Sequence, residues 1–296
     1  MPGLEQPLPA LTIGAARRWG LTILSTAGID SAGLDARRLL AAALDLPEAQ
    51  ILARPECLLP AERAQVFAAY IERRRSREPV SRILGQREFY GRSFAVSPAT
   101  LDPRPESETL IETVLAIVQG EGWSSRPLRI LDVGTGTGCL ILTLLSELPR
   151  ATGIGTDISD AALGVARNNA AALGLAHRVG WCATDLLENI EEQFHILVSN
   201  PPYLSAAELG AVEPEVSRFD PRVALDGGVD GLEIFRRLSK GIGRVVRSGW
   251  VVLEVGHEQA DSVAEIMQPA AGGPGELRIA RDVSGWRRCV AVRTRN

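Results

Sequence analysis

The chain has 296 residues, 45% of them hydrophobic, which is enough for one large domain or two unequal ones with their own cores. A formal net charge of −4 argues against a chain whose main task is to wrap nucleic acid, and the scattered cysteines Cys57, Cys139, Cys182 and Cys289 form no C-x-x-C pair that would signal a zinc knuckle or redox dithiol. The start, MPGLEQPLPA, lacks a basic segment followed by an apolar one, and no later run approaches the roughly 18 apolar residues of a membrane span; a cytoplasmic protein with reduced, buried thiols is expected.

In chain order, helical spacing comes first. LTIGAARRWGLTIL, LDARRLLAAALDL and PAERAQVFAAYIERRR predict a small bundle of amphipathic helices within a domain over 1–84, with Pro60 at a first helical position. Between Glu72 and Arg92 stand Arg73, Arg74, Arg75, Arg77, Arg82, Arg87 and Arg92 against only Glu72, Glu78 and Glu88. They read as a solvated helix end, where arginines complement the helix dipole, or as a docking surface for an acidic or RNA-bound partner. A linker over 85–104 carries REFYGRSFAVS, two short strands predicted around Gly91 and Arg92. After the prolines of PATLDPRPESE, helical spacing returns from Thr109 to Gln119, with Glu106, Glu108 and Glu112 near its start.

From Leu128 onward, apolar strand-like runs alternate with helix-like segments. Strands are predicted at RILDV, TGIGTD, VGWCAT, HILVSN, WVVLEV, ELRIA and RCVAVR, the last two joined only by RDVSGWR. The expected architecture is α/β: an open, mainly parallel sheet of seven strands, covered on both faces and ending in an antiparallel pair, within a domain over 105–296.

Three strand ends carry candidate binding residues. ILDVGTGTG places Gly134, Thr135, Gly136, Thr137 and Gly138 between the first of these strands and a helix; a dinucleotide-binding turn would need glycine at 139, where Cys139 stands. The next strand ends in Asp157, able to accept hydrogen bonds from both ribose hydroxyls of an adenosyl group, although a helix-capping role competes. The third ends at Asp185 and Leu186, a carboxylate and an apolar side chain that could bracket the edge and face of adenine. Together these look like an S-adenosylmethionine site of the Rossmann-like methyltransferases.

VSNPPYL follows the fourth strand. An amide nitrogen is a poor nucleophile because its lone pair is delocalised into the carbonyl. A catalyst must therefore hold the NH2 group with that lone pair aimed at the sulfonium methyl. The Asn200 side-chain oxygen and the carbonyl of Pro201 can accept its two hydrogens, Tyr203 can stack on the amide plane, and Pro201 with Pro202 stiffens the loop. No metal is needed for this chemistry.

At this point the sequence resembles the peptide chain release factor glutamine N5-methyltransferases, S-adenosylmethionine-dependent enzymes with an N-P-P-Y loop. The resemblance runs through REFYGRSFAVSPATLDPRPESE, ILDVGTGTG, TDISDAALGVARNNA, VSNPPYL, EPEVSRFDPRVALDGGVDGL and LEVGHEQ. It implies an N-terminal helical domain that recognises substrate, joined by the hairpin to a Rossmann-like catalytic domain binding S-adenosyl-L-methionine. The implied reaction is methylation of the glutamine in the Gly-Gly-Gln loop of class I release factors. By the same resemblance the cofactor residues are Gly134 to Gly138, Asp157 and Asn200, with Asp185 and Leu186 near adenine. Asn200, Pro201, Pro202 and Tyr203 form the substrate loop, and Arg104, Glu106 and Glu108 border the methionine end or cap the following helix. Leu186 stands where some relatives have an aromatic, and Ser107 where threonine is frequent. A ribosomal-protein glutamine, or an amino group of nucleic acid, is the alternative substrate; a non-catalytic module of the same fold would have lost Asn200 or the glycine turn.

Overall fold

The structure, a computed structural model, describes residues 11–295. The MPGLEQPLPA segment, read above as carrying no export signal, lies outside the described residues. Two compact units divide between Gly85 and Gln86. No helix among the described residues is long and apolar enough to cross a membrane.

The first unit consists of helices α1 (Ile13–Thr26), α2 (Ala32–Leu44), α3 (Glu48–Ala53), α4 (Ala61–Arg75) and α5 (Val80–Leu84). The Thr12 side chain accepts a hydrogen bond from the Ala15 amide and so caps α1. Pro60 stays extended (φ −57°, ψ 138°) and precedes α4, so the helix starts one residue later than predicted. Leu24, Leu39, Leu40, Phe67 and Ile71 form the core. Gly20 permits the close approach there, because a Cβ on it would lie 2.8 Å from the Phe67 ring.

Several arginines of the segment make contacts within the protein, but of Arg73, Arg74, Arg75 and Arg77 only Arg74 is buried. Arg74 is buried and pairs at 2.8 Å with buried Asp35, which also accepts from Ser31 Oγ. Arg73 pairs with Glu78 and Arg75 with Glu72, while Arg77 donates to the carbonyls of Ala27 and Gly28. The expectation of a simple solvated helix end therefore fails at Arg74: its charge completes a buried pair, and losing either partner would strand the other in a dry site.

The second unit opens with the hairpin β1 (Gln86–Phe89) and β2 (Arg92–Ala95). Its two-residue turn is Tyr90 and Gly91, both with positive φ (50° and 71°), the type I′ geometry that matches strand twist. Arg92 thus belongs to β2 and not to the turn as predicted. It pairs with Glu147, and the Tyr90 amide donates to Glu108. A 3-10 turn over Pro105–Ser107 then leads into α6 (Glu108–Gly120).

The sheet follows as β3 (Arg129–Val133), α7 (Cys139–Glu147), β4 (Thr152–Asp157), α8 (Asp160–Ala172), β5 (Val179–Ala183) and β6 (Ile196–Ser199). Short helices α9 (Ala206–Leu209), α10 (Pro214–Phe219), α11 (Glu233–Ser239) and α12 (Ile242–Val245) precede β7 (Trp250–Glu254), α13 (Ala260–Ala270), β8 (Leu277–Arg281) and β9 (Arg287–Arg293). The strand order is β5-β4-β3-β6-β7-β9-β8, parallel except for β9, which runs antiparallel to both neighbours. Alternate residues face opposite layers: Ile130, Ile196 and Trp250 join the layer containing α6 and α7, whereas Leu131, Leu197 and Val251 join the one containing α11 and α13.

The order decides where chemistry can occur. The chain winds outward from β3 to β5, then returns to place β6 on the other flank of β3, with Val133 beside Ser199. This reversal opens a crevice at the carboxyl ends of β3 and β6. The glycine turn and the N-P-P-Y loop, far apart in sequence, therefore leave the sheet side by side.

Candidate active site

The glycine turn is held open by its backbone. Gly134, Gly136 and Gly138 all have positive φ (71°, 55° and 78°), where any other residue would be strained. A Cβ on Gly134 or Gly136 would meet no protein atom within 4 Å, so these positions leave bare backbone facing space. Thr135 Oγ donates to Asp132 at 2.6 Å, and Thr137 Oγ accepts from the Cys139 amide at 3.3 Å. Asp132 is fully buried, and burial pushes its carboxyl up to about 7 against the opposing Thr135 hydrogen bond. From α8, the buried Asn169 side chain bonds both the N–H and the C=O of Ala95 and also donates to the Thr137 carbonyl at 2.9 Å. One amide thereby ties the hairpin to the turn.

Asp157 ends β4 with both oxygens pointed at backbone amides: Oδ2 accepts from Gly136 and Oδ1 from Ser159, each at 2.9 Å. The cap of α8 is Ser159, which accepts from Ala162, so Asp157 is not the helix cap. Each carboxylate oxygen retains a lone pair for a ligand. Asp185 forms an ion pair with Arg237 of α11 at 2.7 Å, and Leu186 adopts a positive φ of 52° beside it.

These groups line a single crevice. Gly134, Thr135, Gly136, Thr137, Asp157, Asp185, Leu186, Asn200 and Pro202 all border it, whereas Gly138 caps α7 immediately behind. Its wall also contains residues that the sequence did not single out, among them Leu101, Ile158, Ile234 and Arg237. A second cavity is lined by Pro201, Tyr203, Glu106, Glu254 and Arg288. Asn200, Arg104, Leu101 and Ala224 border both cavities. Of the residues expected near the entry helix, Arg104 pairs with the buried carboxylate of Asp220 at 2.6 Å, while Glu108 borders neither cavity and anchors the hairpin instead.

Asn200 Nδ2 donates to Ser107 Oγ at 3.1 Å, which leaves Oδ1 available as an acceptor. Tyr203 is fixed at both ends: its carbonyl accepts from Gln259 Nε2 at 2.9 Å, and its hydroxyl lies 3.4 Å from Glu254 Oε1. Burial, reinforced by the Glu254 charge, pushes the Tyr203 hydroxyl above its ordinary range. The G-G-V-D-G run has a steric role here. A Cβ on Gly231 would lie 2.3 Å from the Tyr203 carbonyl oxygen, and one on Gly227 would lie 2.8 Å from Tyr203 Cα.

The cysteines depart from expectation. All four are free thiols, but Cys57 is exposed and Cys139 and Cys182 are only partly buried; Cys289 alone is buried, on β9. A helix-flanking loop, not the core, carries Cys57.

Residues 15–85 match the PrmC N-terminal domain family, and 107–214 match the methyltransferase small domain family. The hMettl16 catalytic domain in complex with a MAT2A 3′UTR hairpin shares the fold, with a TM-score of 0.55 at 16% identity over 79% of this chain and 82% of that one. Among curated proteins, the release factor glutamine methyltransferase of Rhodospirillum rubrum is 42% identical over 97% of this chain and 86% of its own length. That of Bradyrhizobium diazoefficiens is 41% identical over 99% and 98%. With such identity sustained from the helical unit through the last strand, the chain belongs to the release factor glutamine methyltransferase family.

Proposed function

We propose that this enzyme transfers a methyl group from S-adenosyl-L-methionine to the side-chain N5 of the glutamine in the Gly-Gly-Gln motif of class I peptide chain release factors, in the cytoplasm. The observation that carries the reading is the position of Asn200, which borders both the glycine-turn crevice and the Tyr203 cavity. A group held at that junction touches methyl donor and target amide at once.

S-adenosylmethionine supplies an electrophilic methyl carried on a sulfonium. The open backbone at Gly134 and Gly136, with Asp157 behind it, fits an adenosyl group; Asp157 would accept from the ribose hydroxyls, and Asp185 and Leu186 would border adenine. Thr135, Thr137 and Gly138 shape the turn that does this. On the substrate side, Asn200 Oδ1 and the Pro201 carbonyl accept the two amide hydrogens. This aims the nitrogen lone pair and stabilises the positive charge that develops on nitrogen during transfer. Pro202 stiffens the loop, and Tyr203 walls the amide plane. The nitrogen loses its extra proton readily after transfer, so positioning and water exclusion carry the rate enhancement. The N-terminal helical unit contributes recognition of the folded release factor.

Substrate class is tested by incubating the enzyme with methyl-labelled S-adenosylmethionine and, separately, a purified class I release factor, ribosomal proteins and ribosomal RNA. Label is expected in the release factor. Label in RNA or ribosomal protein, with the release factor unlabelled, would overturn this reading.

A further inference from the structure

Behind the N-P-P-Y loop lies a polar group that the transfer chemistry does not touch. Ser107 closes the 3-10 turn before α6 and is 3% exposed; its Oγ accepts the hydrogen bond from Asn200 Nδ2. Glu254 ends β7 and is 1% exposed. Its Oε1 lies 3.4 Å from the Tyr203 hydroxyl, and its Oε2 has no hydrogen-bond partner among the described residues. An unmet carboxyl oxygen in a dry site is costly. Burial raises this carboxyl to about 7, while the Ser107 hydroxyl and Arg288 act in the opposite direction, favouring its charged form.

A side-chain amide has an acceptor end and a donor end of nearly the same shape. If Asn200 turned by half a rotation it would present Nδ2 to the target NH2, donor against donor, and lose the interaction that aims the lone pair. Something must therefore select one orientation. A serine hydroxyl can accept and donate simultaneously. At Ser107 the oxygen is taken by Asn200; its own proton can turn to the buried Glu254 carboxylate, whose Oε2 has no donor among the described residues.

We propose that Ser107 is a positioning residue that links Glu254 to Asn200: its proton is directed to the Glu254 carboxylate, its lone pair holds Asn200 Nδ2, and Asn200 therefore presents Oδ1 to the target amide. The inference rests on the role of Asn200 given above. Because Tyr203 also meets Glu254, one carboxylate braces both ends of the substrate loop.

The test is single-turnover methylation of a class I release factor by the full-length enzyme and its Asn200→Ala, Ser107→Ala, Ser107→Thr, Glu254→Gln and Ser107→Ala/Glu254→Gln variants. S-adenosylmethionine affinity is measured by calorimetry and folding by thermal melts. Ser107→Ala is expected to slow transfer about 10-fold, the scale of one buried hydrogen bond, with release-factor KM and cofactor affinity within about twofold of wild type. Ser107→Thr, which keeps the hydroxyl, is expected to restore the rate to within about twofold. Glu254→Gln is expected to slow transfer in the wild-type background and to cost clearly less once Ser107 is alanine, because the part of its effect that passes through that hydroxyl is then gone and only the part carried by Tyr203 remains. The proposal is overturned by an unaltered rate in Ser107→Ala, by a threonine variant as slow as the alanine one, or by a Glu254→Gln cost that persists in full in the double variant. If Asn200→Ala also transfers at the wild-type rate, the reading of the loop fails with it; if only the Ser107 variants are normal, the loop reading stands alone.

Discussion

Replacing Asn200 by alanine is expected to lower the rate of methyl transfer roughly 100-fold or more, on the order of 3 kcal/mol of transition-state stabilisation. The side chain is held by Ser107 with its acceptor end free at the junction of two cavities, so alanine removes an oriented dipole and not merely bulk. Asn200→Asp separates the parts of this account. A carboxylate still accepts both amide hydrogens and attracts the positive charge developing on nitrogen, and Ser107 can rotate to donate to it. Against this stands the cost of charge in a desolvated site close to Glu254. The aspartate variant is expected to be slower than wild type and faster than the alanine variant. Single-turnover assays at saturating S-adenosylmethionine isolate the transfer step; wild-type rates in the alanine variant would remove the loop from the chemistry.

Asp157→Ala is expected to weaken S-adenosylmethionine binding by about 1.5–3 kcal/mol, roughly a 10- to 150-fold rise in Kd, through the loss of charge-assisted hydrogen bonds to ligand hydroxyls. The structure adds a second contribution. Asp157 also receives the Gly136 and Ser159 amides, so alanine loosens the glycine turn that faces the ligand. Asp157→Asn keeps only one acceptor oxygen and is expected to fall between alanine and wild type. Calorimetric titration measures both; an unchanged Kd for alanine removes Asp157 from the site.

The parts of this arrangement that were legible in the sequence are those written in short windows. The strands of the sheet announce themselves as apolar runs, the antiparallel ending as two such runs on a short connection, and the glycine turn as three glycines at alternate positions. The neighbouring exits of β3 and β6 are not among them, because the strand order that reverses at β3 is set by how the strands pair in the fold. What stayed hidden depends on pairs distant in sequence. Asn200 and Ser107, Asp185 and Arg237, and Asn169 with Ala95 meet only after the sheet has assembled, and no local pattern marks them. Arg74 is the sharpest instance: within a run of arginines it looks like solvated charge, yet its partner Asp35 on α2 makes it an interior residue. The sequence pattern centres the hairpin turn on Gly91 and Arg92, whereas the two positive φ values at Tyr90 and Gly91 complete the turn without Arg92. The glycines of the G-G-V-D-G run were legible as a motif but not as spacers, since the backbone they approach, that of Tyr203, lies on a separate segment.

The central claim is that this enzyme methylates one glutamine side chain, held by Asn200 against the methyl donor. Mass spectrometry of the Gly-Gly-Gln peptide from a class I release factor, after incubation with S-adenosylmethionine and either the wild-type enzyme or Asn200→Ala, tests it most directly. The account predicts one added methyl on the side-chain nitrogen of that glutamine with the wild-type enzyme, and little or none over the same interval with the alanine variant. An unmodified glutamine, a methyl located on another residue, or equal modification by both enzymes would contradict it.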